Sequence, residues 1–131
     1  MNIRGWVALG SALGGGARFI VADFFHRLWA MPFPWDTLFV NVTGSLLIGF
    51  VATLTEAGSR VMVPTHIRQF LMTGFCGGYT TFSILSLQSL ALIESNPWLG
   101  VLNLGLTTLT CLLAVWAGHT LADRLNQLAR T

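Results

Sequence analysis

The chain has 131 residues, of which 53% are hydrophobic and only 9% charged, with a mean hydropathy of +0.68 and a formal net charge of +2. So apolar a composition leaves almost nothing for a water-soluble domain, and so small a charge calls for no nucleic-acid partner. The chain reads as a single integral membrane domain over residues 1–131, all-α.

Charge positions set the elements. The charged residues are Arg4, Arg18, Asp23, Arg27, Asp36, Glu56, Arg60, Arg68, Glu94, Asp123, Arg124 and Arg130, and they divide the sequence into long apolar runs. A bilayer core takes about 20 apolar residues per helix. Four spans are predicted, at approximately 5–25, 36–56, 68–93 and 97–122.

The first span follows Arg4 and would imitate a secretory signal, but its apolar stretch is long and glycine-rich and three more spans follow, so it is expected to stay. Gly10 and Gly14 form a GxxxG pair that suits close helix packing. Arg18 lies about 14 residues into this span, where charge is costly. It either snorkels to an interface with help from Asp23, clamps helix-end carbonyls, or forms an anion-attracting vestibule.

Trp29, Met31-Pro32, Pro34-Trp35 and Asp36 then mark headgroup depth, where tryptophan keeps its ring apolar and its N–H wet. In the second span, Asn41 sits in TLFVNVTGS ahead of Gly44, Ser45 and Gly49. An amide in lipid needs partners, so Asn41 serves an interhelical hydrogen bond or offers neutral N–H donors to a small anion.

The segment from Gly58-Ser59 to Pro64 leads to the third span, where Gln69–Ile93 carries no charge over 25 residues and contains GFCGGYTTFS. Paired glycines followed by paired threonines predict a helix broken at Gly77-Gly78. Hydrocarbon cannot satisfy the freed carbonyls and amides, so the break points to ion binding or permeation. Phe82, Leu85, Ser86 and Ser89 fall near one face of the remainder. Cys76 and Cys111 both lie within spans as small apolar residues, indicating neither a disulfide nor a metal cluster.

After Asn96-Pro97-Trp98, the fourth span carries Asn103, Thr107 and then Thr110 or Cys111 in one stripe. Arg4, Arg60, Arg68, Arg124 and Arg130 collect on one side against Arg27, which favours cytoplasmic termini. A four-helix bundle this small fills its own centre with side chains, so an oligomer is expected. His26, His66 and His119 are scattered near span ends and make no catalytic arrangement, so no enzyme is expected.

GGGARF at Gly14–Phe19, the segment Thr37–Gly49 and GFCGGYTTFS at Gly74–Ser83 together resemble the Fluc (CrcB) family of fluoride channels, over essentially the whole chain. The resemblance implies an antiparallel, dual-topology dimer in a bacterial plasma membrane. Two narrow pores would export cytoplasmic fluoride passively and lower its toxicity. It also implies a structural sodium ion at the dimer interface, held by the backbone carbonyls of Gly77 and Thr80 from both copies. For the ion path it implies Asn41 as a donor and Phe82 as a lining ring, with Asn103 and Thr107 on a polar track; Arg18 joins these from its own placement.

Leu85 stands where the family usually has a second phenylalanine, Gln88 where an acid is often found, and Cys111 where serine is expected unless Thr110 substitutes. The missing ring and the arginine bias leave open an oppositely inserted paralogue as partner instead of a second copy. Two alternatives compete. A small proton-coupled exporter of cationic drugs needs a membrane carboxylate, and none lies inside the predicted spans except Asp23 at an edge. A non-transporting scaffold subunit would use the same glycines and hydroxyls for packing alone.

Overall fold

The computed structural model describes residues 2–28, 32–56, 59 and 61–128. Trp29, Met31, Gly58, Arg60 and Arg130, which carried parts of the interface and orientation readings, lie outside the described residues. The described residues are all-α: α1 (Ile3–Leu28), α2 (Trp35–Leu54), α3 (Thr65–Gln69), a π-helical segment (Phe70–Cys76), α4 (Gly77–Tyr79), α5 (Ser83–Ser95) and α6 (Pro97–Leu128). From Thr65 to Ser95 they make one 31-residue span, so four helical segments are long and apolar enough to cross a membrane. At 1.5 Å per residue the 32-residue α6 is about 48 Å long, more than the roughly 30 Å hydrocarbon core requires.

Side-chain contacts place the ends. Trp6 of α1 meets His66 of α3 at a ring separation of 5.2 Å, Arg68 of α3 donates to Thr55 Oγ1 beyond α2 at 3.1 Å, and Asn126 of α6 donates to the Thr53 carbonyl at 3.1 Å. The start of α1, the end of α2, the start of the third span and the end of α6 therefore share one end, and successive spans run antiparallel. At the other end His26 of α1 approaches Asp36 of α2.

Packing follows the small residues. The main contacts are α2 with α6, α1 with the first half of the third span, and α5 with α6. A Cβ on Gly10 would fall 2.9 Å from Gly74 Cα, and one on Gly14 2.8 Å from the Tyr79 nitrogen, so α1 lies backbone to backbone on the π-helical segment and α4. The GxxxG pair thus glues helices within one chain. The interior is more polar than apolar: Asp36, Thr37, Asn41, Thr53, Thr81, Ser89, Asn103 and Thr107 are buried, against Val40, Val51, Cys76, Leu85, Ala114 and Ala122. Large apolar side chains instead point outward, including Phe19, Trp98 and Trp116, as expected of a chain whose solvent is lipid.

The helix does not break at Gly77-Gly78, as the glycines suggested. Gly77 has helical dihedrals, φ −65° and ψ −34°, and the interruption comes three residues later, where Thr80 turns to φ −78° and ψ 159° and the helix resumes at Ser83. Of the two, Gly78 is needed for contact: it lies against Ser11 of α1, 2.8 Å from its Cα once a Cβ is added. The break falls on the threonines because polar groups there replace the lost helical bonds.

If close contact is what Gly14 provides, Gly14→Val should destabilise the protein by about 1–3 kcal/mol. Gly15→Val, where an added Cβ meets nothing within 4 Å, should cost well under half as much. Unfolding in mixed detergent micelles measures both, and equal effects would remove the packing role.

Candidate functional site

The break is held by side chains from two other spans. Asn41 of α2, 6% exposed, accepts from the Thr81 N–H through Oδ1 at 2.7 Å and donates through Nδ2 to the Thr81 carbonyl at 3.0 Å. One amide thus replaces both hydrogen bonds that a neighbouring peptide would have supplied. The Thr81 hydroxyl accepts from Ile84 N–H at 3.2 Å and so caps the start of α5. Thr80 turns its own hydroxyl back to the Cys76 carbonyl at 2.9 Å. Arg18 of α1 reaches the Thr80 carbonyl with Nη1 at 3.4 Å, the helix-end clamp among the roles weighed for it.

Because the Thr81 N–H points to Asn41, it is withdrawn from Gly77, whose carbonyl would be its i−4 acceptor in a continuous helix. Gly77 is exposed, and a Cβ there would meet nothing within 4 Å. A bare stretch of backbone at membrane depth therefore faces out of the chain.

Beside it runs a groove of about 430 Å³, with walls from α2 (Asn41, Gly44, Ser45, Ile48), the third span (Met72, Cys76, Gly77, Thr80, Thr81, Phe82, Leu85) and α6 (Thr107, Thr108, Cys111). Asn41, Phe82, Thr107, Gly77 and Thr80 are thus brought together, and among the described residues none of the lining side chains is charged. Phe82 is 78% exposed, whereas Leu85, at 5%, is packed inward. The Thr107 hydroxyl is buried and has no hydrogen-bond partner among the described residues.

Asn103 is not at the groove. Fully buried one turn from Thr107, it donates to Ser89 Oγ at 2.8 Å and leaves its Oδ1 unpartnered. Arg18 touches the break from α1 and lies outside the groove lining. Of the two fourth-span candidates, Cys111 faces the groove, while Thr110 bonds back to the Leu106 carbonyl at 2.6 Å and lines a separate apolar pocket. Sequence reasoning gave Thr81 no part in the site. Its only signal was its place beside Thr80, because its partner Asn41 is 40 residues away.

A four-span membrane protein with an interrupted helix beside an uncharged, partly polar groove has the anatomy of the small membrane proteins that handle ions. Residues 5–119 match the family described as CrcB-like protein, Camphor Resistance (CrcB), and the chain belongs to that family. It is 48% identical over 126 residues to the fluoride-specific ion channel FluC 1 of Rhodopseudomonas palustris (strain BisB18), covering 95% of this chain and 89% of that protein. To the fluoride-specific ion channel FluC of Paramagnetospirillum magneticum it is 49% identical over 122 residues, covering 92% and 95%. To that of Methylocella silvestris it is 47% identical over 124 residues, covering 94% and 95%. These family members are named as ion channels and not as enzymes.

Replacing Asn41 by Leu strands the buried Thr81 N–H and carbonyl, at about 1–3 kcal/mol for each unpaired group. The expected outcome is a lower unfolding midpoint in detergent together with faster amide exchange at residues 80–84. Exchange that stays at the wild-type rate would show that Asn41 does not hold the break.

Proposed function

We propose that this chain is a fluoride-specific channel that lets fluoride leave a bacterial cell passively across the plasma membrane. The observation that carries the reading is the Thr107 hydroxyl, buried at the wall of an uncharged groove with no partner of its own, close to the exposed ring of Phe82. A donor without an acceptor suits an anion. Neutral dipoles and the positive edge of a phenyl ring replace water around a small anion without trapping it as a full charge would. The names of the relatives supply the identity of that anion.

Each group has a definite task in this reading. Thr107 donates its O–H, and Asn41 keeps one N–H beyond the one given to Thr81. The guanidinium of Arg18, held at the Thr80 carbonyl, raises the local potential for an anion without lining the groove. Asn103 and Ser89 extend a polar seam between α5 and α6 away from the groove. A membrane potential that is negative inside drives an anion outward by about 2.3 kcal/mol per 100 mV, so no energy-coupling site is required. Drug exchange against protons would need a carboxylate on the groove, and its lining contains none among the described residues.

A second copy, inserted the other way, would cover the bare backbone at Gly77 and close the groove into a pore. The exposed Gly77 and the exposed Phe82 ring on one face support such a partner, which is either this same chain or a paralogue of opposite orientation. The same face supports a structural sodium ion. Gly77 has a carbonyl without its helical donor and Thr80 an extended carbonyl beside it, both hard oxygen ligands. Sodium bound there would supply the positive charge that joins four carbonyls across a dimer. Among the described residues Arg18 is the cationic group at that position, and its long 3.4 Å contact is weak enough to yield.

Fluoride-electrode recording of efflux from liposomes containing only this polypeptide tests the reading. Thr107→Val, which removes a neutral donor worth about 1 kcal/mol, should slow efflux roughly fivefold, and Phe82→Ile should slow it at least as much, with both variants folded. Wild-type protein that releases no fluoride would refute the function. Purification with a large organic cation in place of sodium should separate the dimer or silence efflux, and full activity without sodium would remove the ion's structural role.

A further inference from the structure

At the end of the bundle where α1 meets α2, away from the groove, lies a pocket of about 290 Å³. Its walls are aromatic and aliphatic, with Phe25, Phe33 and Trp35 prominent, and two acceptors reach it, the Asp36 carboxylate and Gln88 of α5. Asp36 is 9% exposed, an unusual depth for a charged side chain, yet the basic side chain found against it among the described residues is His26, with Nε2 at 3.9 Å on an imidazole that is 73% exposed. The arginine nearest in sequence is already committed, with Arg27 Nε donating to Asp23 at 2.8 Å. Gln88 Oε1 is buried as well and has no donor among the described residues.

The Asp36 carboxylate, in the first turn of α2, and the buried Gln88 oxygen, which has no donor among the described residues, offer two acceptors to a group that brings N–H bonds and a positive charge. Aromatic walls favour the same group, because a cation over a ring face is attracted by its quadrupole. A bare metal ion fits poorly: among the described residues no three metal-ligating side chains gather here. The pocket also opens where α2 begins, at Trp35, the level of lipid headgroups.

We propose that this pocket binds a primary ammonium group, as carried by an aminophospholipid headgroup or a small free amine. The ammonium donates to Asp36 and to Gln88 Oε1 while its carbon stem lies against Phe33 and Trp35. The pocket and the groove share no lining residue among those described.

Native mass spectrometry of the full-length protein, titrated with phosphatidylethanolamine and with phosphatidylcholine of identical acyl chains, compares a headgroup that has N–H donors with one that has none. Ethylammonium chloride, followed by the Trp35 fluorescence that Trp35→Phe removes, probes the free amine. The expected result is preferential retention of phosphatidylethanolamine, displaced by ethylammonium and weakened about tenfold in Asp36→Asn and less in Gln88→Leu. Ethylammonium binding with the same Asp36 dependence, but no lipid preference, supports the site with a free amine as its source. Equal retention of the two lipids without ethylammonium binding overturns the proposal, as does wild-type binding by Asp36→Asn. If Asp36→Asn does not fold, unchanged ethylammonium affinity in Gln88→Leu overturns it instead.

Discussion

Everything near the groove depends on one side-chain amide that stands in for a peptide. Hydrocarbon offers no hydrogen bonds, so an interrupted helix survives at membrane depth only if each freed group is met from within the protein. Asn41 meets two at once, with an acceptor at 2.7 Å and a donor at 3.0 Å from the same residue, Thr81. Those bonds let the third span bend where it does. The bend aims Phe82 outward, opens the groove and leaves the Gly77 carbonyl without its helical donor.

The glycines make that possible at a distance. Gly10 and Gly14 bring α1 against the backbone of the third span, close enough for Arg18, on the same helix, to reach the Thr80 carbonyl. Gly49 and Gly118 do the same for α2 and α6, which carry Asn41 and Thr107 toward a common space. With small residues taking the helix contacts, the buried positions are released to polar side chains. The result is an interior richer in hydroxyls and amides than in hydrocarbon.

Much of this was legible in the sequence. Charge spacing alone gave four spans, and the uncharged run around GFCGGYTTFS marked the third as unusual. The position of its break was not legible. Two adjacent glycines look like a helix end, yet both keep helical geometry here, and it is Gly78 that α1 packs against. Thr80 and Thr81 look like ordinary membrane threonines, bonded to their own helix, and Thr80 is one. What distinguishes Thr81 is a partner 40 residues away, which no local pattern reports. The π-helical segment at Phe70–Cys76 packs against α1 and has no signature of its own in the sequence. The residues read as one fourth-span stripe divide in the structure, with Thr107 at the groove and Asn103 committed to Ser89.

The groups that secure the bend have one more property in common: they precede it in the chain. Arg18 and Asn41 belong to the first two spans, and these hydrogen bonds to Thr80 and Thr81 come from them. A translocon that releases segments into lipid in order of synthesis has therefore already delivered both supports when the least self-sufficient segment emerges. The bonds at Thr80 and Thr81 thus wait on no later span of the same chain, and the ribosome's direction of travel becomes part of how those peptide groups find partners, leaving the Gly77 carbonyl as the exposed one.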